Sequence, residues 1–285
     1  MRISSISSLA RVVDPRYPTN FAILIIAALV GGGYLIYTLY AGTDLFSAIS
    51  AAFSFAVGVF LTWALGREID PEHELAAFVG LLLFIPGYLF LGAPDLIMLL
   101  AILLLVRMLN QTTGLQPKLL DILAIIALGA VLVVRGALIF GVFCSAAFLL
   151  EAWLGESRNR YLFLSGFMAF LTLASFLILK PLFPSKGITP AQVGFVISVA
   201  LVFIPLVPHT RKIEVICDYQ PERLKPVRVQ AGQVFAISSA ILVWIIAGYS
   251  GIIALLPLWS SFIGLSVGYL ASIFTERIKD NTGKT

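Results

Sequence analysis

Charge is what this chain has least of. Only 12% of its 285 residues are Asp, Glu, Lys or Arg, against about 25% in soluble globular proteins. With 60% hydrophobic residues and a mean hydropathy of +1.01, that scarcity excludes a soluble fold. A domain of this length buries too small a share of its surface to hide so much apolar matter. Two cysteines exclude a disulfide framework: Cys144 falls in an apolar run and Cys217 in a polar one, so they should be far apart. Two histidines without cysteine partners supply no zinc ligand set, and neither metal nor cofactor is expected. No G-x-x-x-x-G-K-[ST] loop occurs, which excludes an ATP-driven motor. Neither H-E-x-x-H nor a nucleophile elbow is read in the chain. The paired aspartate repeats of intramembrane prenyltransferases are also missing.

What is present is apolar sequence in long blocks. Inside a bilayer every backbone N–H and C=O needs an internal partner, which leaves helices or closed barrels. Barrel strands alternate apolar with polar residues; Phe21–Val30 and Leu96–Val106 do not. The fold class is therefore all-α, a polytopic integral membrane helical bundle of about ten transmembrane helices. The spans are read as 20–40, 44–66, 71–92, 94–110, 117–134, 136–155, 160–182, 190–207, 231–249 and 252–275. The third to fifth are short for a crossing of about 20 residues, so that tilt or local thinning must accommodate them. The rival reading makes 71–110 a re-entrant pair.

Ahead of the first span, Ile3, Ile6, Leu9 and Val13 recur at helical spacing among Ser4, Ser5, Ser8 and Arg11. That pattern predicts a short interfacial helix. Thr19 or Asn20 can cap the first span. Pro71, Pro94, Pro117 and Pro190 suit first helical positions, while Pro86, Pro205 and Pro257 fall inside spans. The organisation expected is a cytoplasmic segment 1–19, a membrane domain 20–275 with a cytoplasmic loop 208–230, and a cytoplasmic tail 276–285.

The net charge of +4 could suggest nucleic acid, but its distribution points to the bilayer. Sixteen of the nineteen Lys and Arg residues fall in the gaps on one side, with Arg135, Lys180 and Lys186 on the other. The positive-inside rule then puts both termini in the cytoplasm of a cell-membrane protein. The lipid bilayer is the expected partner; nucleic acid is not.

Ionisable groups at membrane depth are costly and normally face protein, paired. Arg107, Asn110, Gln111, Thr112, Thr113, Asp121 and Glu151 form the first candidate cluster, with Arg107 expected either to pair with Asp121 or Glu151 in the bundle interior or to snorkel to the interface. A second lies in the polar loop Arg67-Glu68-Ile69-Asp70-Pro71-Glu72-His73-Glu74. Read as a site, Arg67, Asp70 and His73 offer acid–base groups. Read as local structure, Asp70 caps a helix that begins at Pro71. Glu156–Arg160 is a short basic turn of the kind that sets topology, and residues 212–229 alternate as a small β-hairpin would. Ser260, Gly264, Gly268 and Ser272, and Ser50, Ser54 and Gly58, suit close helix packing.

Three functions fit. A secondary carrier of a lipid or small solute agrees with ten spans, short loops and no energy-coupling domain. In layout alone the chain resembles the drug/metabolite transporter group. A membrane-embedded enzyme acting on a lipid-linked substrate at the cytoplasmic face agrees with the polar groups gathered there. An assembly component would dock through 208–230.

Overall fold

The computed structural model describes residues 6–11, 13–179 and 187–282, and only the backbone of Leu179, Lys212 and residues 275–282. The chain is an all-α membrane bundle. Its helices are α1 Pro18–Tyr40, α2 Leu45–Ile69, α3 Ala76–Leu91, α4 Leu96–Asn110, α5 Leu119–Val134, α6 Ile139–Leu154, α7 Arg158–Leu179, α8 Pro190–Phe203, α9 Leu206–His209, α10 Pro226–Ala247, α11 Tyr249–Ala254 and α12 Leu256–Thr282. Among the described residues, six segments are long and apolar enough to cross a membrane: α1, α2, α7, α8 continued through α9, α10 and α12. Four apolar helices of 15 or 16 residues, α3 to α6, lie where the third to sixth spans were read. They are shorter than the roughly 20 residues of a full crossing.

α4 is the axis of the packing. It touches α2, α5, α6 and α10 and buries Leu99, Ile102, Val106, Met108 and Leu109 completely. α2 also carries α1, α3 and α12, while α7 lies on α6 and α8 on α12. Mid-bundle the rings of Phe55 and Tyr88 stack 4.0 Å apart, and Phe203 meets Phe262 at 4.6 Å. Small residues set the closest approach. A Cβ on Gly264 of α12 would collide with the backbone of Gly80 in α3, the close contact expected of that stripe. Ser50, by contrast, faces outward.

Several boundaries differ from expectation. The interfacial helix is not found: residues 6–11 form turns and bends, and Ser7, Ser8 and Leu9 are buried in the bundle. Residues 1–5 of that segment lie outside the described residues. Helix α1 starts at Pro18, with Tyr17 in the cap position, so neither Thr19 nor Asn20 caps it. Pro71 does not start α3, because Asp70 ends α2 and the chain turns through 71–75 first. Asp95 caps α4 with its carboxylate, and Lys118 precedes α5, which leaves Pro94 and Pro117 outside the helices. Pro257 is the second residue of α12, where its missing N–H costs little. Pro226 starts α10 five residues early, so Arg228 belongs to a helix and not to a loop. The hairpin reduces to one antiparallel bridge, Ile216 with Arg223. Residues 180–186, including two of the three basic residues assigned to the outer side, lie outside the described residues.

Candidate functional site

Polar side chains collect at one end of the bundle, where residues 6–17, the turns 70–75 and 111–118, and the segment 210–225 meet. Glu68, in the last turn of α2, is the hub. Its side chain is wholly buried. One carboxylate oxygen accepts from Thr112 Oγ1 at 2.8 Å. The other accepts from Arg107 Nε and from Arg11 Nη1, each at 3.3 Å. A buried carboxylate persists as a charge only with such partners. Its backbone carbonyl is also taken, by Asn110 Nδ2 at 2.6 Å.

Arg11 and Arg107 extend the network in different directions. Arg11 Nε donates to Asp218 Oδ2 at 2.6 Å, and Asp218 and Tyr219 donate backbone N–H groups to the carbonyls of Thr112 and Thr113. Burial opposes the Arg11 charge, and the carboxylates of Glu68 and Asp218 more than offset it, so its pKa lies above the ordinary value. Arg107 Nη1 donates to the carbonyl of Leu9 at 3.1 Å. The segment that Leu9 belongs to is pinned further by Asp121. That carboxylate accepts from the Ser7 hydroxyl, from Ser8 N and Oγ at 2.9 and 2.8 Å, and from Lys118 N at 2.9 Å.

A second pair stands beside the first. Arg228 in the first turn of α10 donates to both oxygens of Glu151, at 2.8 and 3.2 Å, and to the carbonyl of Leu109 at 3.0 Å. Gln111 Nε2 completes the carboxylate at 2.9 Å. Gln111 is the one described non-glycine residue with a left-handed backbone, φ +50°, a conformation that costs roughly 1–2 kcal/mol. It ends α4 and swings the chain into the Thr112–Gly114 turn. Asn110 reaches Glu68 only because residue 232 is glycine: a Cβ there would strike Asn110 Oδ1. That oxygen has no conventional hydrogen-bond partner and faces the Gly232 backbone instead.

The pairing expected for Arg107 is therefore wrong in both its forms. Asp121 serves the N-terminal segment, and Glu151 serves Arg228. Yet Arg107, Asn110, Thr113, Asp121 and Glu151 do gather at this end, linked through residues 7–11 and the last turn of α4. The polar loop joins its edge. Arg67 bonds Asn20 at 2.8 Å and Glu74 at 2.9 Å and lies over the Trp63 ring. Asp70 accepts from the Glu72 backbone and from His73 Nδ1; it is the C-cap of α2 and not the N-cap of α3, which is Leu75. His73 and His209, the two histidines of the chain, lie with ring centroids 6.5 Å apart.

Sequence reasoning overlooked the central roles of Glu68, Arg11 and Arg228, together with Ser7 and Ser8. Arg228 carried one signal: Pro226 two residues before it marks a helix start. The string Gly264-Leu265-Ser266-Val267-Gly268, passed over before, has the spacing of a nucleophile elbow. It lies within α12, and Ser266 Oγ donates to the carbonyl of Phe262 at 2.7 Å. An elbow requires a strand-to-helix turn, so this is packing sequence.

Chemically, the arrangement braces. Among the described residues no three His, Cys, Asp or Glu side chains converge as a metal site would require. A cleft of about 40 Å³ opens beside the network, lined in part by Arg11, Arg67, Glu74, Thr112 and Asp218. It has room for a few waters. Comparison with protein-family models, with curated proteins and with solved structures yields no match in any of the three.

Proposed function

We propose that the protein is a secondary carrier of a lipid or small solute, with ten crossings and both termini in the cytoplasm of the cell membrane. In this reading the network around Glu68 is a gate that closes the cytoplasmic end of the bundle. The observation that carries it is the convergence of three side chains on one buried carboxylate, Glu68 of α2: Arg107 from α4, Thr112 from the turn after α4, and Arg11 from a non-helical segment that also grips Asp218. Ion pairs between separate segments can be exchanged as units, which a bundle that opens at one face needs. The charge distribution supports the orientation.

The reading is tested in proteoliposomes. Uptake of a panel of charged and neutral solutes is measured, together with dithionite reduction of fluorescent phospholipids to follow lipid movement. A protein-dependent flux that changes in Glu68→Gln supports the carrier. In parallel, in a Cys217→Ser background, Met108→Cys, fully buried on α4 next to Arg107, should resist a water-soluble maleimide and become reactive in Arg11→Ala. No flux of any solute or lipid, with Met108→Cys equally protected in both backgrounds, would contradict it. A second reading, an enzyme acting on a lipid-linked substrate at this face, rests on the charged and polar side chains gathered there. It requires turnover without net movement across the bilayer.

A further inference from the structure

The helices of the bundle do not share one length, and two of the short ones, α5 and α6, are not hidden inside it. On α5 the residues Leu119, Leu120, Leu123, Val131 and Val134 are exposed along one face from the first residue to the last. They form the lipid-facing surface of a 16-residue helix. At 1.5 Å per residue that face is about 22 Å tall, against a hydrocarbon core of about 30 Å. Its neighbour α6, also 16 residues long, exposes Val142, Leu149, Leu150 and Trp153. Across α4 and α2, helix α1 exposes apolar side chains from Phe21 to Tyr40, a height of about 28 Å.

The α5 face also ends on a charge. Arg135 directly follows the last turn and, about half exposed, meets Asp95 Oδ2 at 3.3 Å, so the apolar band of α5 stops at Val134. Tilting would shorten the band further.

We infer that the α5–α6 flank takes a thin bilayer as its partner: it draws the surrounding hydrocarbon down by several ångströms, while the α1 flank sits in membrane of ordinary thickness. The asymmetry is a property of the lipid-facing surface and holds for a carrier or an enzyme. It rests on the reading of α5 and α6 as crossings. The turn between them therefore gets its own check: Ala137→Cys should react with an impermeant maleimide added from outside.

The test uses the intact chain, reconstituted in phosphatidylcholine vesicles whose monounsaturated acyl chains run from about 14 to about 22 carbons. The readout is local. Trp63, Trp244 and Trp259 are buried, and Trp153, at the end of α6, is 76% exposed, so quenching by brominated lipids reports mainly the thin flank. The expected result is that Trp153 is quenched most by bromines near the headgroups in vesicles of about 18 carbons, as at about 14. Strongest quenching by mid-chain bromines at about 18 carbons overturns the inference. Labelling of Ala137→Cys separates that failure from a failure of the topology.

Discussion

The two ends of the bundle solve the same problem differently. At the end with short turns, the described charges stay near the surface and close off helices locally. Asp44 caps α2 through the Ser47 amide at 3.0 Å, and Arg135, about half exposed, meets Asp95. At the loop-rich end, carboxylates are taken out of water and held by partners from distant parts of the chain: Arg11 with Glu68 and Asp218, Arg228 with Glu151. An exposed pair contributes little and can be lost cheaply. A buried one adds little net stability but is costly to break by halves. The contrast places conformational specificity, and with it the candidate function, at one end only.

Substitutions can break that contrast or sharpen it. The largest effect is expected for Arg228→Ala, which strands the Glu151 carboxylate with Gln111 as its remaining side-chain partner. It should destabilise by about 3–5 kcal/mol, measured by denaturant unfolding in detergent. Removing Glu151 as well should restore part of that loss, a coupling a double-mutant cycle reads directly. Glu68→Gln comes next, at about 2–3 kcal/mol for the weakened charged hydrogen bonds, and it should loosen residues 6–17 together with 213–224. Gly232→Ala forces Asn110 off the Glu68 carbonyl and should cost about 1–3 kcal/mol although no charge changes.

At the opposite end, Arg135→Ala should change stability by less than about 1 kcal/mol. The smallest effect concerns Asp44. Its hydrogen bonds with Ser47 hold its pKa below the ordinary value. Its contribution is thus present above the unfolded carboxylate pKa of about 3.9 and fades as pH falls through the lower folded value. Between about pH 5 and 8 Asp44→Asn should leave the pH profile of unfolding unchanged, and a difference should appear only in acid.

The architecture was legible because its cause is compositional. Blocks such as Leu96–Val106 cannot be anything but buried or lipid-covered, and backbone satisfaction then dictates helix. Boundaries were less legible. Asp70-Pro71 fits a cap followed by a first helical residue, but Asp70 is drawn into a turn with Glu72 and His73. The membership of the site was read in part: Arg107, Asp121 and Glu151 stood out as charges in apolar sequence, and they do lie near one another. Their partners did not stand out. Glu68 was one of four carboxylates in a single loop, and Arg11 and Arg228 were counted as ordinary topogenic charges. Periodicity describes one helix at a time. The approach of residues 11, 107 and 112 to Glu68 joins distant parts of the chain, and no local pattern records it. The N-terminal segment misled for the same reason, since Ile6 and Leu9 match a helical repeat while Ser7 and Ser8 are held in place by Asp121.

Hydrogen exchange tests the central claim, that residues 6–11 form an integral brace of the loop-rich end. The Ser8 amide donates to Asp121, and Cys217 and Leu224 donate to Glu222 and Val215. In the intact chain, peptides covering 6–17 and 213–224 should exchange slowly, and Glu68→Gln should accelerate both together. Exchange of 6–17 at the rate of an unprotected chain in the unmodified protein would contradict it.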